Sequence, residues 1–463
     1  MYDIKIINAR VFDFDTEKDS ITDIGIEDGK IISIKNTEGS GKIEIDAGGK
    51  VVSPGFVDIH MHEEVIGEGV CDDYDIANNM LLMGVTTCVA GCCGNNRQNI
   101  KDFFEFIDNN GAPVNYLSFV GHNFLREQVG ISDRYREATK DELRQMKTLV
   151  YRNIVEQEAI GISFGLEYSP GVSLEEVISL CQAVQSEDII LSAHFRKDAE
   201  YGIDSIKEMI EISRLTAKPL HISHIGSCIA YGMMDEALDV VQKAIDKGID
   251  VGADCYPYNA FSTFIGSAVF DEGCFKLWNK SYDSILLTEE PYKGQFCDKE
   301  LFHLVRSKYP DMLVVAFVMD EEEVLKAIKA PFVSIASDGL FKKGQGHPRG
   351  AGTFPRVLGR FVREKGELSL IDALKKMTVM PAKRLGLADK GDIKEGMDAD
   401  IVIFDPDTII DKATFEKPTL PPHGISYVII NGELAVKNNK ILKNRLGKVI
   451  RKSQLKERGI YND

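Results

Sequence analysis

The chain opens on short alternating stretches. Ile4-Lys5-Ile6-Ile7, Asp23-Ile24-Gly25-Ile26 and Ile31-Ile32-Ser33-Ile34 carry apolar side chains near period two, with Gly and Asp between them. That pattern predicts half-buried strands joined by turns. The other end repeats it: Ala399-Asp400-Ile401-Val402-Ile403-Phe404, then Tyr427-Val428-Ile429-Ile430 before the turn pair Asn431-Gly432, then Ala435-Val436. Strand-only pieces at both ends are expected to pair as one small β-sandwich domain, residues 1–53 with 392–463.

Between them, over residues 54–391, the pattern changes. Apolar β-like runs that end in polar residues cover 55–62, 84–90, 115–122, 161–168, 189–194, 220–224, 250–256 and 333–338. Amphipathic helical stretches separate them. Over 174–186, for example, Leu174, Val177, Ile178 and Cys181 form the i, i+3, i+4, i+7 stripe of a helix packed on one face. Eight strands alternating with helices predict a (β/α)₈ barrel. The stretch near 258–315 is long for a βα loop and mixes aromatics with charge, so it reads as an insertion over the barrel mouth.

Composition narrows the partners. With 55 basic and 72 acidic side chains in 463 residues, the formal charge is −17. Such a surface repels phosphate backbones and anionic lipid, which argues against nucleic acid or membrane and for a small-molecule substrate. A homo-oligomer stays open. The nine cysteines are odd in number and lack the spacing of a secreted disulfide framework. They read as reduced thiols of a cytoplasmic protein. The first residues lack an apolar signal-peptide core, and no apolar run is long enough to span a bilayer.

The chemistry sits where the runs end. In such a barrel, functional side chains gather at the C-terminal strand ends. Run one ends His60-Met61-His62, and run two leads into Gly91-Cys92-Cys93-Gly94. Run three ends Gly121-His122, run five Ala193-His194, run six Ser223-His224, and run eight Ser337-Asp338-Gly339. Six of the nine histidines lie at or beside such ends. On a strand, i and i+2 share a side, so His60 and His62 can reach one metal. His221 and His224 face opposite ways, so only one is a ligand candidate; His224 is the better placed, with His221 in the barrel wall. His, Cys and carboxylate together suit Zn²⁺. Taken singly, each has a plain structural explanation: a satisfied strand-end histidine, a core cysteine, a Ser-Asp-Gly helix cap. Their co-occurrence at one mouth favours chemistry.

These segments resemble a known family. Pro54-Gly55-Phe56-Val57-Asp58-Ile59-His60-Met61-His62 is similar to the opening motif of the amidohydrolase superfamily. Gly84-Val85-Thr86-Thr87 through Gly91-Cys92-Cys93-Gly94, Ala193-His194-Phe195-Arg196, Ile222-Ser223-His224 and Asp254-Cys255-Tyr256-Pro257-Tyr258 resemble segments of its D-aminoacylase (N-acyl-D-amino-acid deacylase) branch. So do Ser337-Asp338-Gly339, the stretch from His347-Pro348-Arg349 to Gly359, and that from Gly391 to Val402. The resemblance covers nearly the whole chain. It implies a barrel with a small β-sandwich and a tightly held zinc on Cys93, His194 and His224. His60 and His62 would offer a weaker second site sharing the Cys93 sulfur, Asp338 would be the catalytic acid/base, and Tyr256 and Ser262 would hold a substrate carboxylate.

Two departures matter. Run four, Gly161-Ile162-Ser163-Phe164-Gly165-Leu166-Glu167-Tyr168, has no lysine for the carboxylated bridge many amidohydrolases use. Cys93 as thiolate or Glu167 must then supply the anionic bridge. The branch also carries a lysine two residues past its third motif histidine, where this chain has Gly226. By motif position, Arg196 and Arg349 are the nearest substitute cations. The resulting expectation is zinc-dependent hydrolysis of a linear amide, most simply an N-acyl-D-amino acid, with His122 as a further oxyanion donor. A cyclic amidase of the hydantoinase or dihydroorotase kind is the first alternative, and a metal-free oligomeric interaction protein the second.

Overall fold

The computed structural model describes residues 1–35, 37–67 and 74–456. Eight parallel strand segments form the central barrel. In chain order they are Phe56–Asp58, Val85–Ala90, Asn115–Ser118 continued by Val120–Gly121, Gly161–Gly165, Ile190–His194, Leu220–Ile222, Val251–Cys255 and Val333–Ile335. Neighbours pair in that order. Third and fourth are joined additionally by Ile160 N–H donating to the Ser118 carbonyl at 2.9 Å. The ring closes between last and first: Asp338 N–H donates to the His60 carbonyl at 2.8 Å and His62 N–H to that of Gly339 at 3.0 Å. Nearly every strand residue is buried on both faces, which is why these runs read as continuous apolar stretches rather than alternating ones.

Helices pack outside. The predicted helix over 174–186 is seen as Leu174–Ala183. It starts where the Ser173 hydroxyl accepts from Glu176 N–H, with Glu175 and Glu176 at its positive end. The chain leaves the helix three residues early because Val184 is no longer helical (φ −125°). Thr139 and Asp320 start two other helices in the same way.

Both chain ends meet in one nine-stranded sheet. Its hydrogen-bonded order is Lys440–Ile441, Glu433–Lys437, Ile425–Ile430, Ile401–Phe404, Val51–Pro54, Tyr2–Asp13, Lys18–Glu27, Lys30–Ile34, with Gly41–Asp46 also on Tyr2–Asp13. Ile4, Ile6, Ile24, Ile26 and Ile45 from one arm meet Val52, Ile401, Ile403 and Ile429 from the other in a single core. Closing a sheet over its own apolar face in this way makes a small sandwich. A second sheet lies between barrel strands seven and eight: Phe261–Phe264 and Ile285–Leu287 both pair antiparallel with Leu313–Ala316. Its first strand lies along the barrel mouth. The eight described cysteines are buried and none forms a disulfide; Cys71 lies outside the described residues. No described helix is long and apolar enough to cross a membrane.

Candidate active site at the barrel mouth

The strand ends deliver their side chains to one point. Cys93 Sγ lies 3.2 Å from His60 Nε2 and 3.2 Å from His224 Nε2. His194 Nδ1 is 3.1 Å from His224 Nε2. His62 Nε2 is 3.0 Å from Asp338 Oδ1. Two groups of ligand atoms, His60–His62–Cys93–Asp338 and Cys93–His194–His224, each fall within 4.8 Å, and they share the Cys93 sulfur. All six residues are at most 9% exposed.

Backbone strain helps to aim them. Cys93 (φ 53°), His224 (φ 30°) and Asp338 (φ 48°) all adopt left-handed conformations. That region is unfavourable for residues with a Cβ and is found chiefly where surrounding structure enforces it, as at functional sites. Gly94 follows Cys93 with φ 77°, and a Cβ there would sit 2.8 Å from Gly165 N, so only glycine lets this turn lie against strand four.

Buried carboxylates set the imidazoles. Asp254, at the end of strand seven, faces His60 Nδ1 at 3.2 Å and His221 Nε2 at 3.0 Å, and accepts from His224 N–H at 2.8 Å. With Nδ1 so engaged, His60 presents Nε2 to the cluster. Asp58 accepts from Ser337 N–H at 3.0 Å and His60 N–H at 3.2 Å, tying strand one to strand eight; burial pushes its carboxyl up to about 7. Glu167 Oε2 is 2.8 Å from His194 Nε2. No role was assigned to Asp254 or Asp58 from sequence. Their signal was position, since each ends or nearly ends a barrel strand.

The electrostatics ask for positive charge at the centre. Burial works to raise the Cys93 thiol, but the charges of His60 and His224 and hydrogen bonds from His194 and His224 hold it well below its usual range. Burial works to lower His194, while Cys93 and Glu167 raise it to about 10. Asp338 stays far below the ordinary carboxylate range despite burial, because Arg349 and His62 stabilise its charge. A thiolate ringed by imidazoles is the donor set that a thiophilic, imidazole-binding cation fits, so the residues suit zinc by chemistry as well as distance.

A cavity of about 620 Å³ opens onto this cluster, lined by His62, Cys93, Asp338, Arg349, Ser262 and Tyr168 among others. Arg349 Nη2 is 2.9 Å from Asp338 Oδ2 and donates to the Ser262 carbonyl at 3.2 Å. Its Nε and Nη1 have no partner among the described residues. Its guanidinium lies 4.6 Å from the centre of the Tyr256 ring, and the Tyr256 hydroxyl is buried without a partner among the described residues. Two sequence candidates are not brought here. Arg196 is spent on Glu208, at 3.0 and 2.8 Å, and on the Val172 carbonyl, and it is absent from the cavity wall. His122 turns into the wall, 2.7 Å from Glu176, which Arg126 also grips. His221 also sits in the wall; burial lowers its basicity although Asp254 works to raise it.

A closed parallel barrel whose mouth gathers four imidazoles, a thiol and a carboxylate defines the class of barrel hydrolases that work with metal. The amidohydrolase family profile matches residues 322–436. A D-aminoacylase of Alcaligenes xylosoxydans xylosoxydans is 29% identical, with 97% of each chain covered. A D-aminoacylase crystal structure, described with a binuclear metal centre, superposes with a TM-score of 0.87 at 29% identity, covering 97% of this chain and 100% of that one. The N-acyl-D-glutamate deacylase of Bordetella bronchiseptica, solved with zinc and a phosphonate mimic of the tetrahedral intermediate, gives 0.86 at 28% identity, covering 97% and 99%. Over nearly its whole length the chain is similar to D-aminoacylases of the amidohydrolase family, and it is an enzyme that hydrolyses carbon–nitrogen bonds.

Proposed function

We propose that this enzyme hydrolyses the linear amide of N-acyl-D-amino acids. One observation carries the reading: a cysteine sulfur ringed by imidazoles faces the same cavity as Asp338, which is paired with Arg349, a cation with two free donors. Cys93, His194 and His224 would hold one zinc ion, and His60 and His62 a second sharing the Cys93 sulfur. Zinc there would supply Lewis acidity to the scissile carbonyl and to the attacking water.

The rest falls to the chain. Asp338 Oδ1 takes the water's proton and later hands it to the leaving nitrogen, since an amine cannot depart as an anion near neutral pH. His62, 3.0 Å from that oxygen, fixes its direction. Arg349 keeps Asp338 ionised until a substrate carboxylate competes for its guanidinium; the carboxylate then takes the donors Nε and Nη1, and Asp338 becomes a better base. Ser262 and Tyr256 flank the same guanidinium and would complete the carboxylate seat. The strand Phe261–Phe264 lines the cavity through Ser262, Thr263 and Phe264 and would limit water there.

The test is a chiral library of N-acetyl and N-succinyl amino acids with free amine as readout, run beside hydantoins and dihydroorotate. Turnover of linear D-substrates is expected. Turnover of the cyclic amides alone would overturn the reading.

A further inference from the structure

Beside the metal-ligand cluster, a small inner chamber extends under His194. Glu167, Asp198, Ser227 and Cys228 line it together with Arg349 and Asp338. Its free space is about 20 Å³, room for one water-sized group. Ligand atoms of His194, Asp198 and Cys228 converge within 4.8 Å. Asp198 is 3% exposed, and its Oδ1 has no hydrogen-bond donor among the described residues. A buried carboxylate oxygen without a donor is costly, and a second carboxylate beside it adds repulsion.

No lysine lines this corner among the described residues, and the His194 ring is engaged by Glu167 at 2.8 Å. Arg349 is committed to Asp338. Gly226 adds no cation, and a Cβ there would meet Cys255 Sγ at 2.7 Å. From this segment the uncharged side chains of Ser227 and Cys228 face the chamber. Two acids, Asp198 and Glu167, stand together in its lining.

We infer that this chamber receives a primary ammonium group carried by the substrate, held by Asp198 with Glu167 and Ser227. The inference rests on the deacylase reading and adds the substrate class: an N-acyl-D-amino acid bearing an amine a few bonds from the scissile amide. The amine can sit on the side chain of the leaving amino acid or on the acyl group.

Two sets of isosteric pairs test it on the wild-type enzyme. In one, N-acetyl-D-diaminobutyrate, N-acetyl-D-ornithine and N-acetyl-D-lysine are compared with analogues in which methyl replaces ammonium. In the other, glycyl-D-alanine is compared with propionyl-D-alanine. A charge-assisted contact made in the chamber should favour the ammonium member of one set by about 10- to 100-fold in kcat/KM, and that set identifies the amine's side. Asp198→Asn should bring that ratio close to one. Neutral members matching or beating charged ones in both sets would overturn the inference while leaving deacylation intact. Inactivity of every compound would sink both readings. A ratio unmoved in Asp198→Asn, or a further equivalent of bound metal lost in that variant, would also overturn it.

Discussion

Two buried polar clusters tie remote parts of this chain together, and they are built on opposite terms. The first joins the terminal sheet to the barrel. Lys390 Nζ reaches Asp400 Oδ2 at 2.5 Å and Asp398 Oδ2 at 2.9 Å. Asp400 also accepts from Asn115 Nδ2 and Asn431 N–H, and Asn431 Nδ2 donates to Asn115 Oδ1 at 3.0 Å. Donors face acceptors, and opposite charges meet. The second cluster, at the mouth, sets imidazole nitrogens against each other and against a thiol, and leaves donors of Arg349 and an oxygen of Asp198 unmatched. A satisfied network holds a fold together; one that leaves lone pairs converging and groups unmatched is shaped for something it must bind.

The largest expected effect breaks the second cluster's chemistry and leaves its donors. Asp338→Asn removes the proton carrier, so kcat should fall by about a thousandfold, within the usual range for general acid–base groups. Metal content by elemental analysis should stay at the wild-type level. A variant that turns over normally would show that the proton travels elsewhere. Cys93→Ala acts on the donors themselves. It deletes the atom both ligand groups share, so tightly held metal should be lost and activity with it. Stoichiometric zinc at a near-normal rate in purified Cys93→Ala would remove the sulfur from the ligand set.

The first cluster should respond in the opposite sense. Lys390→Met leaves Asp400 and Asp398 without their shared cation, and Lys390 is only 8% exposed in its side chain. Breaking a buried pair on one side costs about 3–5 kcal/mol. Urea unfolding should show that loss, while metal content and kcat of the folded fraction hold. If Lys390→Met instead altered kcat at unchanged stability, the division between holding and binding would fail.

How much of this was legible in the sequence follows the same division. The barrel was readable because its strands are buried on both faces and its helices on one, and each condition leaves its own period. The mouth was readable because strand ends collect His60, His62, His194, His224 and Asp338 from far apart in sequence. Arg196 was misjudged for a physical reason: motif position gives a residue's place along the chain, while Glu208, one helix later, decides where its guanidinium goes. His122 was drawn away by Glu176 likewise. Asp198 and Gly226 were the hardest. Asp198's meaning lies in a missing partner, and Gly226's in the direction of a Cβ it lacks, and neither leaves a mark on periodicity.

The smallest effect sharpens the first cluster by pH. Burial works to raise the Asp398 carboxyl, but Lys390 and Lys30 hold it below its ordinary value of 3.8. A carboxyl depressed on folding contributes stability that is complete above the unfolded value and lost as pH falls through the folded one. The wild-type urea midpoint should therefore be flat above about pH 5 with respect to this group and fall on acidification below pH 4. In Lys390→Met the carboxyl loses its strongest stabilising charge, so its folded value moves back toward the unfolded one and the acid limb becomes shallower. Because Lys30 remains 2.7 Å from Asp398 Oδ1, the limb should shrink and not vanish. Superimposable acid limbs in the two proteins would mean that Lys30 alone sets this carboxyl, and that Lys390 serves Asp400.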